Sequence, residues 1–222
     1  MEIVMTDFVE LRRMMVDGQL RTFDVQNSAV LDAMGRVPRE CFVDHPDRGL
    51  AYADRPASLA NSQRSLLAPM VLARMLQAGE VVAGERVLDI CGGTGYSAAV
   101  MRAMGCDVVA WDPDPSFGMR AKQACGEAGF ADVDVIEGDT IASISKIGLF
   151  DVVLVNGCCE EEPKELFSRL ADGGRLVAIM KNGAAQSVRV FRKSGKEIGH
   201  GFVGHGHGAM IELFARKAEF VF

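Results

Sequence analysis

The run Val87-Leu88-Asp89-Ile90-Cys91-Gly92-Gly93-Thr94-Gly95-Tyr96 constrains this chain more than any other segment. A short apolar stretch, of the kind buried on both faces of a parallel sheet, runs directly into a glycine-rich turn. Glycine takes positive φ without strain and lets a backbone come close to a ligand. A helix is predicted after the turn, with its first N–H groups free of partners. Strand, glycine turn and helix in that order open a βαβ unit.

The same alternation continues along the chain. Strands are predicted over 86–90, 107–112, 133–137, 151–155 and 175–180, and helices over 97–104, 116–128 and 163–170. This pattern predicts a doubly wound sheet with helices on both faces. Pro113 and Pro115 end the second strand, and Ala171-Asp172-Gly173-Gly174 separates the third helix from the fifth strand. In the tail, 186–192 and 209–215 are expected to pair as antiparallel strands at one sheet edge, with the glycine-rich 195–208 as their loop. Before residue 84 the apolar residues Phe8, Leu11, Met14, Met15, Val30, Leu31 and Met34 come at helical spacing. Residues 1–80 are therefore expected to form a helical cover that does not fold alone. It would pack over the C-terminal edge of a compact domain spanning 81–222, where open α/β sheets bind ligands.

Three acids fall where such a sheet presents its strand ends. Asp112 ends the second strand, where a carboxylate accepts from the ribose hydroxyls of a nucleoside. Asp139 follows the third and is placed to accept from an adenine amine. Asp89, at the end of the first, orients the turn or approaches a ligand's ammonium. The turn is not the G-x-G-x-x-G of dinucleotide sites, and it lacks a phosphate-binding lysine. It reads C-G-G-T-G-Y, close to the G-x-G-x-G of S-adenosylmethionine sites, and carboxylates around it suit a cationic ligand. The expected cofactor-binding set is Asp89, Cys91, Gly92, Gly93, Gly95, Tyr96, Asp112 and Asp139.

Charge and composition exclude other classes. With 24 Lys and Arg against 30 Asp and Glu the formal net charge is −6, which argues against a nucleic-acid partner. Arg12, Arg13 and Arg21 read as a solvated helix face. No apolar run of about 18 residues predicts a membrane span, and Glu2, Asp7 and Glu10 do not suit a signal peptide. The expected location is the cytoplasm. The six cysteines make no C-x-x-C pair and are expected to be reduced thiols, most of them in the core. His200, His205 and His207 read as residues of a glycine loop without a metal, and Trp111 as sheet core.

Further residues carry a resemblance. Gln19-Leu20-Arg21, Val30-Leu31-Asp32-Ala33, Val37-Pro38-Arg39-Glu40-Cys41-Phe42-Val43 and Ala51-Tyr52-Ala53-Asp54 follow in order, then Pro69 with Met70-Val71-Leu72-Ala73-Arg74-Met75. Gly138-Asp139, Phe150-Asp151 and Gly173-Gly174-Arg175-Leu176-Val177 come later. In these motifs the chain resembles the protein-L-isoaspartate O-methyltransferase family. The resemblance implies a class I S-adenosylmethionine-dependent methyltransferase fold: a Rossmann-like doubly wound sheet, mostly parallel with an antiparallel C-terminal edge, plus an N-terminal helical extension. It implies S-adenosylmethionine as cofactor and no metal. The implied partner is a protein or peptide carrying an isoaspartyl residue, methylated on its α-carboxylate. The ester then closes to a succinimide, which reopens in part to aspartate.

Three positions depart from the family pattern. Cys91 stands at the first loop glycine. It is expected to keep a backbone conformation open to ordinary residues, with its side chain packed under the loop. Leu67 stands at the family's active-site serine and Ser65 at its threonine, so these two are the candidate catalytic positions. A leucine facing the acceptor carboxylate offers no hydrogen bond, which predicts weak or absent methylation of isoaspartyl peptides. The stretch 156–163, after the fourth strand, is more acidic than the family's loop and is expected to influence substrate choice. Two other readings stay open: a methyltransferase with another acceptor, and a cofactor-binding paralogue without catalysis.

Overall fold

A computed structural model describes residues 7–216. Glu2 and residues 217–222, the end of the expected domain, lie outside this range. Helix α1 (Phe8–Met15) starts where the Asp7 carboxylate accepts from the Val9 and Glu10 amides, and α2 (Ser28–Arg36) where the Asn27 side chain does the same for Ala29 and Val30. A stretch of short 3₁₀ turns then leads to a small antiparallel hairpin, β1 (Ala57–Ser58) and β2 (Ser65–Leu66). Helix α3 (Pro69–Ala78) follows, with proline at its first position, where no N–H is needed.

The remainder alternates as expected in order: β3 (Arg86–Ile90), α4 (Tyr96–Ala103), β4 (Asp107–Trp111), α5 (Pro115–Glu127), β5 (Asp134–Ile136), β6 (Phe150–Cys159), α6 (Lys164–Phe167) and β7 (Leu170–Asn182). The helix expected over 163–170 is shorter, and Ala171–Gly174 lies inside β7 at a shift of its register with β6 instead of ahead of the strand. Two further strands, β8 (Ala185–Ser194) and β9 (Glu197–His205), complete a seven-stranded sheet of order β5-β4-β3-β6-β7-β8-β9. The pairs from β5 to β7 are parallel, and β7, β8 and β9 are antiparallel. Residues alternate between the faces with the period of two that strands impose. Val152 and Leu154 enter one apolar cluster, while Val153 and Val155 enter the other.

The tail corrects an expectation. Residues 195–208 hold a strand: β8 turns at Gly195 and Lys196 into β9. Gly195 sits at φ +58°, as a tight hairpin needs. β9 is an exposed edge strand, so it shows no apolar alternation, and its backbone ladder to β8 holds it in place. Residues 209–215 are not the partner of β8. Cys158 donates to the Ala209 carbonyl at 2.8 Å and accepts from the Ile211 amide at 3.0 Å, which docks this segment beside the end of β6.

The N-terminal part also differs in placement. Helices α1–α3 do not lie over the C-terminal edge. Met15, Leu20, Val30, Met34 and Leu76 share one cluster with Tyr96, Val100 and Val177, so these helices cover a face of the sheet. The C-terminal edge is covered by the stretch of 3₁₀ turns and hairpin between α2 and α3. Arg39, fully buried, holds this stretch by donating to the Ala51 and Leu67 carbonyls, both at 2.8 Å. Thr94 Oγ1 donates to the Phe42 carbonyl at 2.5 Å, and Arg120 pairs with Asp44 at 2.6 Å.

Since the cover and the sheet share one core, they are expected to unfold in a single transition. A fragment of residues 81–222 would expose the face carrying Val177 and Val100, and is expected to bind a hydrophobic dye and lose its cooperative melt. A cooperative, dye-free fragment would show that the sheet is stable without its cover.

Candidate active site

The strand order reverses beside β3: the chain runs outward through β4 and β5, then returns to β6 on the other side. Crevices at such a switch point hold ligands in open α/β sheets. Here Asp89, next to last in β3, is fully buried. Its Oδ2 accepts from the Ser97 hydroxyl at 2.8 Å and its Oδ1 from the Asn156 amide at 2.7 Å. Burial pushes the Asp89 carboxyl up to about 7, while the Ser97 and Asn156 hydrogen bonds favour its charged form. The glycines of the turn answer to packing. A β-carbon on Gly92 would collide with the Asp89 carboxylate, and one on Gly93 would come within 2.5 Å of Leu59 from the cover. Gly93 and Gly95 sit at φ +61° and +90°.

Cys91 also has positive φ, +57°. The expectation of an ordinary backbone fails, because the chain must turn there to bring Gly92 over Asp89. The side chain does pack under the loop, buried in the cluster of Ile90, Trp111, Cys159 and Phe214. Burial pushes its thiol up to about 12.

Asp112 follows the end of β4 and is almost fully buried. Its Oδ2 accepts from the Gly93 amide at 3.3 Å, and its Oδ1 from the Asp114 amide at 3.1 Å and from Arg64 Nη1 at 2.7 Å. Arg64 also donates to the Cys91 carbonyl and lies over the Phe117 ring, 4.6 Å from its centroid. A cleft of about 660 Å³ opens here, lined by residues 61–64 and 210–213 together with Cys91, Asp114 and Phe117. Asp139 lies exposed just beyond β5.

Several expected site residues lie elsewhere. Tyr96 is fully buried and packs under the Arg39 guanidinium, 4.5 Å from the ring centroid, rather than facing the cleft. Leu67 is buried in the core and does not line the cleft, so the predicted clash with an acceptor carboxylate does not arise from its side chain. Ser65 pairs with Ser58 in the small hairpin. The acidic stretch is partly strand, since β6 runs on to Cys159. Glu160 is tied to Lys181 at 2.8 Å, and none of the three glutamates lines the cleft. Trp111 is core, its indole N–H donating to the Gly138 carbonyl at 3.0 Å. His200 and His205 pack on Phe191 and Phe202. Sequence reasoning missed Arg64, Ser97 and Asn156. Asn156 opens the stretch expected to influence substrate choice and Arg64 adjoins the candidate Ser65, while Ser97 had no signal.

A family model described as protein-L-isoaspartate(D-aspartate) O-methyltransferase matches residues 12–202. The chain belongs to this family. Among curated relatives, the protein-L-isoaspartate O-methyltransferase of Koribacter versatilis is 34% identical over 192 residues, 85% of each chain. That of Gloeobacter violaceus is 39% identical over 163 residues, covering 73% of this chain and 79% of its own. A solved protein-L-isoaspartate O-methyltransferase superposes with TM-score 0.80 at 23% identity, over 92% of this chain and 67% of its own. A structure described as a beta-aspartate methyltransferase from Plasmodium falciparum, in complex with S-adenosyl-L-homocysteine, gives 0.79 at 16% identity, over 94% of this chain and all of its own. The protein-L-isoaspartate methyltransferase family and the sheet order together give the fold: class I, Rossmann-like, mostly parallel with an antiparallel edge.

Two outcomes test this site. The Asp89 carboxyl ionises near 3.9 in an unfolded chain, so between about pH 4 and 7 the folded state alone keeps the proton. Wild-type stability, measured against Asp89→Asn by denaturant unfolding, is expected to fall over that window by up to about 1.4 kcal/mol per pH unit and to level off above it. A difference that does not vary with pH would show Asp89 ionised in the fold. At Cys91, Gly relieves the left-handed backbone while Ala keeps its strain, and both lose the buried sulfur. Cys91→Gly is expected to be more stable than Cys91→Ala by about 1 kcal/mol in the same measurement. Equal stabilities would show an unstrained turn.

Proposed function

We propose that the chain transfers a methyl group from S-adenosylmethionine to the α-carboxylate of isoaspartyl residues in damaged proteins and peptides. The observation that carries this reading is Asp112, a carboxylate at a strand end, held by the Gly93 amide of the turn and bonded to Arg64, which lines the 660 Å³ cleft. Family membership supports it.

The donor set suits this cofactor. Asp89 and Asp112 flank the glycine turn, where the phosphates of a dinucleotide would be repelled, while a sulfonium and an ammonium are welcome. Asp112 would hold the ribose hydroxyls and the exposed Asp139 the adenine amine. Gly92, Gly93 and Gly95 let the turn pack closely on Asp89, Leu59 and Ala121, so that its backbone would lie beside the cofactor. When bound, S-adenosylmethionine supplies an electrophilic methyl group. An acceptor carboxylate is ionised at neutral pH, so the protein need not remove a proton. What remains is positioning and the exclusion of water. Residues 61–64 and 210–213 both line the cleft and would serve both ends. Leu67 takes no part, its carbonyl being occupied by Arg39 and its side chain by the core.

The same reading places the protein in the cytoplasm. All six cysteines are free, as reducing conditions require, and no described helix is long and apolar enough to cross a membrane.

Methyl incorporation into an isoaspartyl peptide, with its aspartyl twin as control, tests the proposal. Selective turnover on the isoaspartyl form is expected, and its absence would overturn the assignment of the acceptor. Calorimetry should show S-adenosylhomocysteine binding, weakened roughly tenfold to hundredfold by Asp112→Ala, since a hydrogen bond to a charged group contributes about 1.5–3 kcal/mol.

A further inference from the structure

Arg64 stands where two demands meet. It belongs to the hairpin of the cover, yet its contacts are on the sheet edge: the Asp112 carboxylate at 2.7 Å, the Cys91 carbonyl and the face of Phe117. Its side chain is 18% exposed and that of Asp112 is 5% exposed, so little water shields the pair. Asp112 Oδ1 already accepts from Arg64 and from the Asp114 amide, and Oδ2 from the Gly93 amide. A carboxylate has about four acceptor positions, so one is left open; a ribose diol with two donors needs a second, and among the three donors present Arg64 is the side chain that can yield it.

The other side of Arg64 faces the 660 Å³ cleft. Among its lining residues Arg64 is the one cation; the other charged groups, Asp114 and Glu212, are acids. An acceptor carboxylate entering this cleft leaves water and meets two negative groups, which is costly unless a cation receives it. A guanidinium matches a carboxylate with two parallel N–H donors, and it stacks on an aromatic ring, as Arg64 does on Phe117.

We propose that Arg64 is the specificity-determining anchor for the acceptor's carboxylate, and that it exchanges its partner. It pairs with Asp112 until the ribose hydroxyls take that carboxylate, and it then receives the carboxylate of the isoaspartyl residue. This inference rests on the methyl transfer proposed above. It makes two demands beyond it: Arg64 competes with the cofactor, and cofactor binding prepares the acceptor site.

Arg64→Gln and Arg64→Lys in the full chain separate these demands from a merely structural role. Calorimetry with S-adenosylhomocysteine is expected to show Arg64→Gln binding about threefold to tenfold tighter than wild type, because the competitor is gone. With the isoaspartyl peptide, the KM of Arg64→Gln is expected to rise about tenfold or more while kcat at saturation changes less. Arg64→Lys, which keeps the charge but not the fork, should recover part of that loss. Unchanged or weaker S-adenosylhomocysteine binding in Arg64→Gln would overturn the exchange, since Arg64 would then only buttress Asp112. An unchanged peptide KM would overturn the anchor. If the wild type binds S-adenosylhomocysteine but methylates no isoaspartyl peptide, the assignment of the acceptor fails and the anchor with it, while the calorimetric comparison still decides the competition at Asp112.

Discussion

The buried carboxyl of Asp89 joins the three elements that meet at the switch point. It stands on β3, takes the Asn156 amide from β6 and takes the Ser97 hydroxyl from the first turn of α4. Asn156 also donates to the Ile90 carbonyl at 3.1 Å, so the one amide stitches two neighbouring strands where their ladder ends. A carboxyl out of water is costly unless such donors surround it. Satisfying them fixes the helix start, the turn between and the separation of the strands together. The rest of the turn is a consequence. Gly92 must be glycine because the Asp89 carboxylate lies where its β-carbon would be, and Cys91 must enter the left-handed region so that Gly92 can pass.

On this floor the cover is placed by a few polar ties. Phe42 receives Thr94, Asp44 receives Arg120, and Leu59 closes over Gly93. Arg39 binds the two ends of the same stretch from inside. Two of these ties end in the glycine turn ahead of α4, at Thr94 and Gly93, and the third on Arg120 of α5. The stretch that walls the cleft is therefore held at its ends, while residues 61–64 between them reach over the sheet edge.

Much of this was legible in the sequence because the signals are local. Val152–Val155 is apolar on both faces, as is Val87–Ile90 apart from Asp89, the turn is written in glycines, and Asp89, Asp112 and Asp139 mark successive strand ends. What was not legible depends on partners far along the chain. β9 has no apolar face of its own and exists through the ladder of β8. Residues 209–215 read as a strand, yet their place is set by Cys158 of β6. Tyr96 looks like a cofactor residue from its neighbours, but the buried Arg39, from before the hairpin, draws it into the core. Spacing places Leu67 and Arg64 in one segment and says nothing of which faces the cleft. In the fold the leucine is turned inward and the arginine lies on Asp112.

The departures from the family pattern change meaning once their directions are known. Cys91 and Leu67 both carry side chains that the family's residues lack, and both are buried. In each case the extra atoms add apolar contact beneath the site; the Cys91 carbonyl bonds Arg64 at the cleft, and the Leu67 carbonyl is taken by the buried Arg39. A hydroxyl lost at position 67 therefore does not leave an acceptor carboxylate against leucine. The polar duty of the cleft falls on what does face it, and there the only positive charge among the lining residues is Arg64. Under the proposed exchange, a segment that gives up a neutral donor and places a guanidinium three residues earlier answers the same chemical need, with a stronger partner for a carboxylate and one that Asp112, the acid proposed for the ribose, holds in reserve.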